Sequence, residues 1–215
     1  MDPDSSVIAT SSSAGRPQTR RLVSCLLIGV ATAQVLGLTL KTSTFLGVND
    51  ISRWCTVWAL LERGSYAIDD CPWREKTIDV VYRAWPSREA GAGAEPVGHF
   101  YSNKPAFLPT LIAGMLYPFR AVSGVPLDRE VQGRRVTWPV YVLYFKPVVV
   151  ILNVVPYLVF LILYARLLDR YAEGDWAWYV SLLAAAWATP LFAFSEVLNN
   201  HTIAAWSAFF ALCAP

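Results

Sequence analysis

The sequence predicts an all-α, polytopic membrane protein, and three observations predict it. Apolar residues fill 55% of the 215 positions and charged ones only 16%, a balance too apolar for a disordered or strongly nucleic-acid-binding chain. The apolar residues gather in uncharged runs close to the ~20 residues that a helix needs to cross a hydrocarbon core of about 30 Å. Nine Trp and ten Tyr exceed what a soluble domain of this size needs, and rings with one apolar and one wet end favour the membrane interface. Eighteen Lys and Arg against sixteen Asp and Glu leave a net charge of +2, so no global field points to an acidic partner such as nucleic acid. Four Cys without close spacing give no zinc signal.

Residues 1–21 are Ser-rich and carry Arg16, Arg20 and Arg21, which predicts a disordered cytoplasmic tail. The first span is predicted at about 22–41, on the uncharged run from Leu22 to Leu40. A secretory signal peptide is the rival reading, because Ala31-Thr32-Ala33 resembles a cleavage site, but the apolar part exceeds the usual ~7–15 residues and favours an uncleaved anchor. An extracytoplasmic loop over 42–138 follows, too long for a simple connector. It opens with a helix near 51–63, where Ile51, Trp54, Cys55, Val57, Trp58 and Leu61 share one face, Asp50 stands as N-cap and Gly64 ends it. Such a helix is expected on the membrane surface. Arg88 to Pro96 interleaves Gly, Ala, Glu and Pro and reads as a flexible loop.

A second loop helix is predicted near 105–120. Its uncharged stretch, Pro105 to Phe119, carries Pro109, Gly114 and Pro118. Internal prolines remove backbone donors, and unsatisfied polar groups in lipid cost several kcal/mol, so a kinked interfacial or re-entrant helix fits better than a span. Three more spans are expected near 140–165, 176–195 and 201–215, making 22–215 a single membrane domain. The last reaches the chain end without polar flank or basic anchor, which reads as a chain cut short.

The 105–120 stretch sets the parity of everything after it. If it does not cross, Asp50, the Lys104 region and the Glu196–His201 turn share the non-cytoplasmic side. If it crosses, the Glu196 turn moves to the cytoplasm, and three Arg at 129, 134 and 135 against two at 166 and 170 mildly favour that arrangement. Charge counting leaves both open.

Three polar clusters carry the candidate chemistry. Asp50, just past the first span, is either a helix cap or a general base facing a membrane-embedded site. Gly98 to Pro105 places His99, Tyr101 and Lys104 before the second loop helix: a compact ammonium, an imidazole donor and a phenol are suited to phosphate, although a snorkelling Lys and an interfacial Tyr are the bland alternative. Ser195 to His201 packs Glu196, Asn199, Asn200 and His201 between two apolar runs, more chemistry than a turn requires. Cys55 and Cys71 share the outer segment and could pair in an oxidising compartment, but the sequence sets no Cα distance between them.

The order of these features resembles the membrane glycosyltransferases of the GT-C fold. An N-terminal span leads to Asp50-Ile51-Ser52-Arg53-Trp54, and Phe100-Tyr101-Ser102-Asn103-Lys104-Pro105 leads into a short apolar helix. Within that class the pattern is most similar to the lipid A aminoarabinose transferases and to the RgtA/B/C/D-like and protein O-mannosyltransferase relatives. The resemblance implies a transferase of the cytoplasmic (inner) membrane, multi-pass with its N-terminus inside. It would pass a hexosyl or pentosyl group from a polyprenyl-phosphate donor to an acceptor on the outer face. It implies Asp50 as the base that activates the acceptor, Arg53 as the Arg of the same helix, and Lys104 at the donor phosphate; the chemistry of the segment itself sets His99 and Tyr101 beside that phosphate. It also implies a juxtamembrane, non-crossing helix after Lys104-Pro105.

The sequence departs from the family where Ile51 replaces a frequent second acid and where Asn103 replaces a Glu. Metal binding through paired carboxylates is therefore doubtful: a divalent metal stays open as an alternative, and no other cofactor is called for. A further family acid falls nearest Asn199 or Asn200, neither of which can act as a base, so Glu196 or His201 would have to substitute. Family members are also usually longer, with additional spans. The rival classes are a transporter component, whose charged groups belong near the bilayer midplane, and a non-catalytic membrane subunit.

Overall fold

The computed structural model describes residues 15–85, 97–132 and 137–214. The expected tail over 1–14, the expected loop at 88–96 and Pro215 lie outside them. The chain is mostly helical, with three helices long and apolar enough to cross a membrane: Gln18–Lys41, Val140–Tyr171 and Asp175–Phe194.

Helix α1, Gly15–Lys41, starts inside the expected tail. Arg20 belongs to the helix, and its guanidinium donates twice to Asp175, at 2.8 and 2.5 Å. The second long helix is continuous in direction but not in winding. It is built from α4, Val140–Val149, a π-helical turn at Val150–Val154, and α5, Val155–Tyr171. Pro156 sits just after the wide turn. A proline ring cannot pack against the carbonyl four residues back, and a widened turn relieves that clash. The third candidate span divides at Ala188 and Thr189 into α6, Asp175–Trp187, and α7, Pro190–Phe194, where Pro190 starts the new helix. Where a fourth span is expected, the chain forms α8, Asn200–Cys213, 14 residues.

Hydrogen bonds fix which helix ends meet. Arg20 near the start of α1 holds Asp175 at the start of α6, and Trp178 Nε1 donates to Asp169 near the end of α5 at 3.0 Å. At the opposite end, buried Lys146 of α4 donates to the carbonyls of Thr39 and Thr42, which close α1. An ammonium there satisfies carbonyls that the helix leaves orphaned and offsets its negative dipole end. The long helix therefore runs antiparallel to α1, and everything between Thr42 and Lys146 leaves and returns at one end of the bundle.

The chain is mostly helical, as expected of an all-α membrane protein, and the intervening segment adds short strands. Two short antiparallel pairs are present, β1 Val80–Trp85 with β2 Val97–Ser102 and β3 Glu130–Gln132 with β4 Thr137–Pro139. Val80 and Val81 opposite Ser102 and Tyr101, and Tyr82 opposite Phe100 with ring centroids at 5.1 Å, are the β-branched and aromatic pairs that favour strands.

Helix α2, Val48–Arg63, begins three residues before the predicted helix and ends at Gly64 in the left-handed region (φ 64°), as its sequence predicts. Other parts of the chain cover it. Every residue from Asp50 to Ala59 is buried, because α3, Phe107–Ser123, and α4 cover one side while the 68–80 segment covers the other. Trp54 stacks on Phe145 of α4 at 3.9 Å, and Ser52 Oγ and Thr77 Oγ1 tie the 77–79 backbone to α2. Helix α3 runs through Pro118 and turns Ile112, Ala113 and Leu116 toward α2, leaving Phe107, Leu111, Met115, Phe119 and Val122 exposed along the other face.

The α2–α3 pair is clamped by Arg120, which donates twice to Glu62 at 2.7 Å while Leu127 N–H also reaches that carboxylate. Burial acts to raise the Glu62 carboxyl, but these donors outweigh it and hold it below its usual range. Its stabilisation is therefore present above the unfolded value of 4.5 and is lost as pH falls through the lower folded one. Arg120→Ala is expected to cost about 2–4 kcal/mol by stranding a desolvated carboxylate. Thermal unfolding in detergent measures this, and an unchanged midpoint would show the pair to be screened.

Two cores result. One gathers Trp54, Trp58, Ile68, Ile112, Leu127 and Phe145 around α2. The other gathers Ala31, Val35, Tyr157, Leu161, Trp178, Leu182 and Trp206 within the helical bundle.

Candidate functional site

A cavity of about 550 Å³ is lined by Asp50, Arg53, Lys104, Asn199, Asn200 and His201, with Leu46, Gly47, Asn49, Phe194 and Val197 completing the wall. Three separate stretches of sequence supply the polar groups.

Helix α2 supplies the first two. Gly47, in extended backbone, is the N-cap, which corrects the expectation that Asp50 caps the helix. Asp50 is the third helical residue, and its Oδ2 accepts the Gly47 N–H at 3.3 Å, one half of a capping box. It is 5% exposed. Burial pushes its carboxyl up to about 6, against the pull of the Gly47 N–H and the Arg53 guanidinium. Desolvation outweighs its partners, which poises a carboxylate to exchange a proton near neutral pH. Arg53, one turn on, is equally buried and is fixed by three acceptors: Asn200 Oδ1 at 3.1 Å, Asn49 O at 3.1 Å and Leu198 O at 3.3 Å.

The β2 end supplies Lys104. Its backbone N–H donates to Ser102 Oγ at 3.1 Å, and its ammonium pairs with Asp79 at 3.2 Å. Asp79 in turn accepts from Asn103 Nδ2 at 3.2 Å. Lys104 also borders a second, smaller cavity of about 160 Å³ with Thr56, Tyr66, Tyr101 and Ser102. Tyr101 belongs to that space and not to the main one.

The α7–α8 turn supplies the third group. Asn199 lines the cavity, but its amide is committed to structure. Its Oδ1 caps α8 by accepting from His201 N and Thr202 N at 2.9 Å, and its Nδ2 donates to Phe194 O at 2.9 Å. Asn200 orients Arg53, and His201 stands exposed at the rim. Behind the turn, buried Asn153 of the π-helical turn donates to Val197 O at 2.7 Å and accepts from Thr202 Oγ1 at 2.9 Å. The wide turn thus places an amide that anchors the loop.

Two predicted site residues lie elsewhere. His99 Nδ1 pairs with Asp69 at 3.0 Å on the outer surface, where Asp69 also accepts the Phe100 N–H. Glu196 points back to the end of α1, accepting from Thr42 Oγ1 at 2.9 Å and interacting with the Lys146 charge. Asp50 is thus the one carboxylate lining the cavity, and among the described residues no three His, Cys, Asp or Glu side chains gather as a metal cluster.

Asp79, Lys146 and Asn153 were not singled out by the sequence. The hairpin register that sets Val80 against Ser102 brings Asp79 to Lys104, and the β-branched Val80-Val81 pair before an aromatic is its faint signal. A lysine or asparagine inside an otherwise apolar run is the clearer sign for the other two.

Comparison with protein-family models, curated proteins and solved structures returned no match.

Proposed function

We propose that this chain is a GT-C-type membrane glycosyltransferase, or the N-terminal part of one, that moves a sugar from a polyprenyl-phosphate donor to an acceptor at the outer membrane face. One observation carries the reading: a buried carboxylate poised near pH 6, a fixed guanidinium and a lysine ammonium converge on one cavity at the end of the apolar helices. The return of the chain at Lys146 to the end of α1 supports placing the Glu196–His201 turn and Lys104 on the same side. It is the arrangement in which α3 does not cross.

The chemistry follows from the charges. An acceptor hydroxyl attacks the anomeric carbon, the carbon–oxygen bond to phosphate breaks, and Asp50 takes the hydroxyl proton. Polyprenyl phosphate departs with its charge held by Lys104 and Arg53. Fixed cations in a desolvated cavity stabilise charge that appears only in the transition state, and the cavity supplies orientation. A transporter fits less well, because the polar groups stand at helix ends, not near the midplane.

The test is transfer from a radiolabelled polyprenyl-phosphate sugar in vesicles containing the full chain, against vesicles lacking it. Label moving to an acceptor supports the reading. Donor consumption equal to that of empty vesicles, across a panel of hexosyl and pentosyl donors, removes it.

A further inference from the structure

Cys55 and Cys71 lie sixteen positions apart, yet the fold brings them together. Cys55 is on the core face of α2, fully buried, and Cys71 is 5% exposed in the turn beyond it, both within the cluster that holds Trp54, Ile68 and Trp73. The turn is held in place independently of either thiol: Cys71 N–H donates to Ile68 O at 3.1 Å, Arg74 N–H to Cys71 O at 3.0 Å, and Ile68 N–H to Phe100 O of β2 at 2.8 Å. Cys71 is the neighbour that acts most strongly on the Cys55 thiol, and both cysteines are free thiols in the structure. The remaining cysteines, Cys25 and Cys213, are on α1 and α8 of the bundle and are not buried.

We propose that Cys55 and Cys71 form a structural disulfide that locks the 64–76 turn onto the helix bearing Asp50 and Arg53. The proposal rests on the reading that the segment between α1 and α4 faces an oxidising compartment, where such bonds persist. The electron acceptor is the disulfide of an extracytoplasmic thiol–disulfide oxidoreductase. One cysteine thiolate attacks that disulfide to give a mixed disulfide, and the second cysteine displaces the oxidant's sulfur. Two protons and two electrons leave the pair, and the oxidant becomes a dithiol. Burial sets the timing. The neighbouring Cys71 and desolvation push the Cys55 thiol well above its ordinary range, so exchange belongs to folding, before the core closes. Once formed, the bond is shielded from soluble reductants by Trp54 and Trp73 packed in the same core.

The experiment uses the full chain isolated from membranes without reductant. Unfolded protein is blocked with N-ethylmaleimide, then reduced and treated with deuterated N-ethylmaleimide, and its peptides are weighed. Heavy label on Cys55 and Cys71, light label on Cys25 and Cys213, and a linked Cys55–Cys71 peptide before reduction are expected. Cys71→Ala should then convert Cys55 to light label. Light label at both positions, or a link to any other cysteine, overturns the proposal. If both are light, diamide added while the reduced chain refolds from denaturant locates the error: a Cys55–Cys71 link faults the compartment, and its absence faults the pairing. Neither result depends on sugar transfer.

Discussion

Asp50→Asn is expected to lower sugar transfer at pH 7.5 by about 10²–10⁴-fold, the range of a lost general base, while the protein becomes more resistant to unfolding. The two effects share one cause. Burial raises the folded carboxyl from 3.8 to about 6, so holding it ionised costs folding energy. That cost is absent below the unfolded value, grows as pH rises from about 4 to 6, and is complete above 6. A neutral amide never incurs it, yet keeps an oxygen to accept the Gly47 N–H. The gain at pH 8 is bounded by about 3 kcal/mol, less the lost attraction to Arg53. In the wild type, transfer should rise with pH through about 6 as Asp50 ionises, and the variant's residual rate should lack that limb. Rates from pH 5 to 8 and thermal unfolding of both proteins check this. A variant as active as wild type, or one less stable at pH 8, contradicts the role given to burial.

Lys104→Ala is expected to cut transfer by about 10²–10³-fold through lost stabilisation of the departing phosphate. Here the fold should suffer little, because the ammonium is 21% exposed and Asp79 keeps its bond from Asn103. Lys104→Arg should recover only part of the rate, since a planar fork replaces a point charge held by Asp79. The loss should fall on kcat more than on donor KM if the contact strengthens as the bond to phosphate breaks. Donor titrations with the three proteins decide it. A pure KM effect would reduce Lys104 to a docking contact, and no effect at all would remove the phosphate from its neighbourhood.

What the sequence could show was local. Asp50 and Arg53 are one turn apart on a helix whose apolar spacing and terminal glycine are plain to read, and the uncharged runs mark where the long helices lie. Lys104 is legible in its own polar segment, and the resemblance adds its place at the donor phosphate. What it could not show depends on pairing across distance. His99 and Tyr101 stand five and three residues from Lys104 and yet do not line its main cavity: in a hairpin unseen in a segment read as helix and loop, Asp69 holds His99, and Tyr101 borders only the smaller space that Lys104 also lines. Asn199 looked like a ligand and is a cap, since only the start of α8 at Asn200 reveals what its amide must satisfy. Glu196 looked aimed at the cavity, but the buried Lys146 and the Thr42 hydroxyl at the end of α1 attract it elsewhere. Helix α2 reads as amphipathic because its strongest residues share a face, whereas Ser52 and Thr56, polar in sequence, are buried by giving their hydroxyls to the Asp79 and Ser52 carbonyls.

The long helix from Val140 to Tyr171 has a consequence for the architecture. It sends Phe145, Val148 and Val149 into one core and Val154, Tyr157 and Leu161 into the other. A single rod, rewound at Val150–Val154, is thus the shared beam of both cores. Any recombination joint placed within that rod would strip one side of its inner wall, so the pair can only be inherited whole.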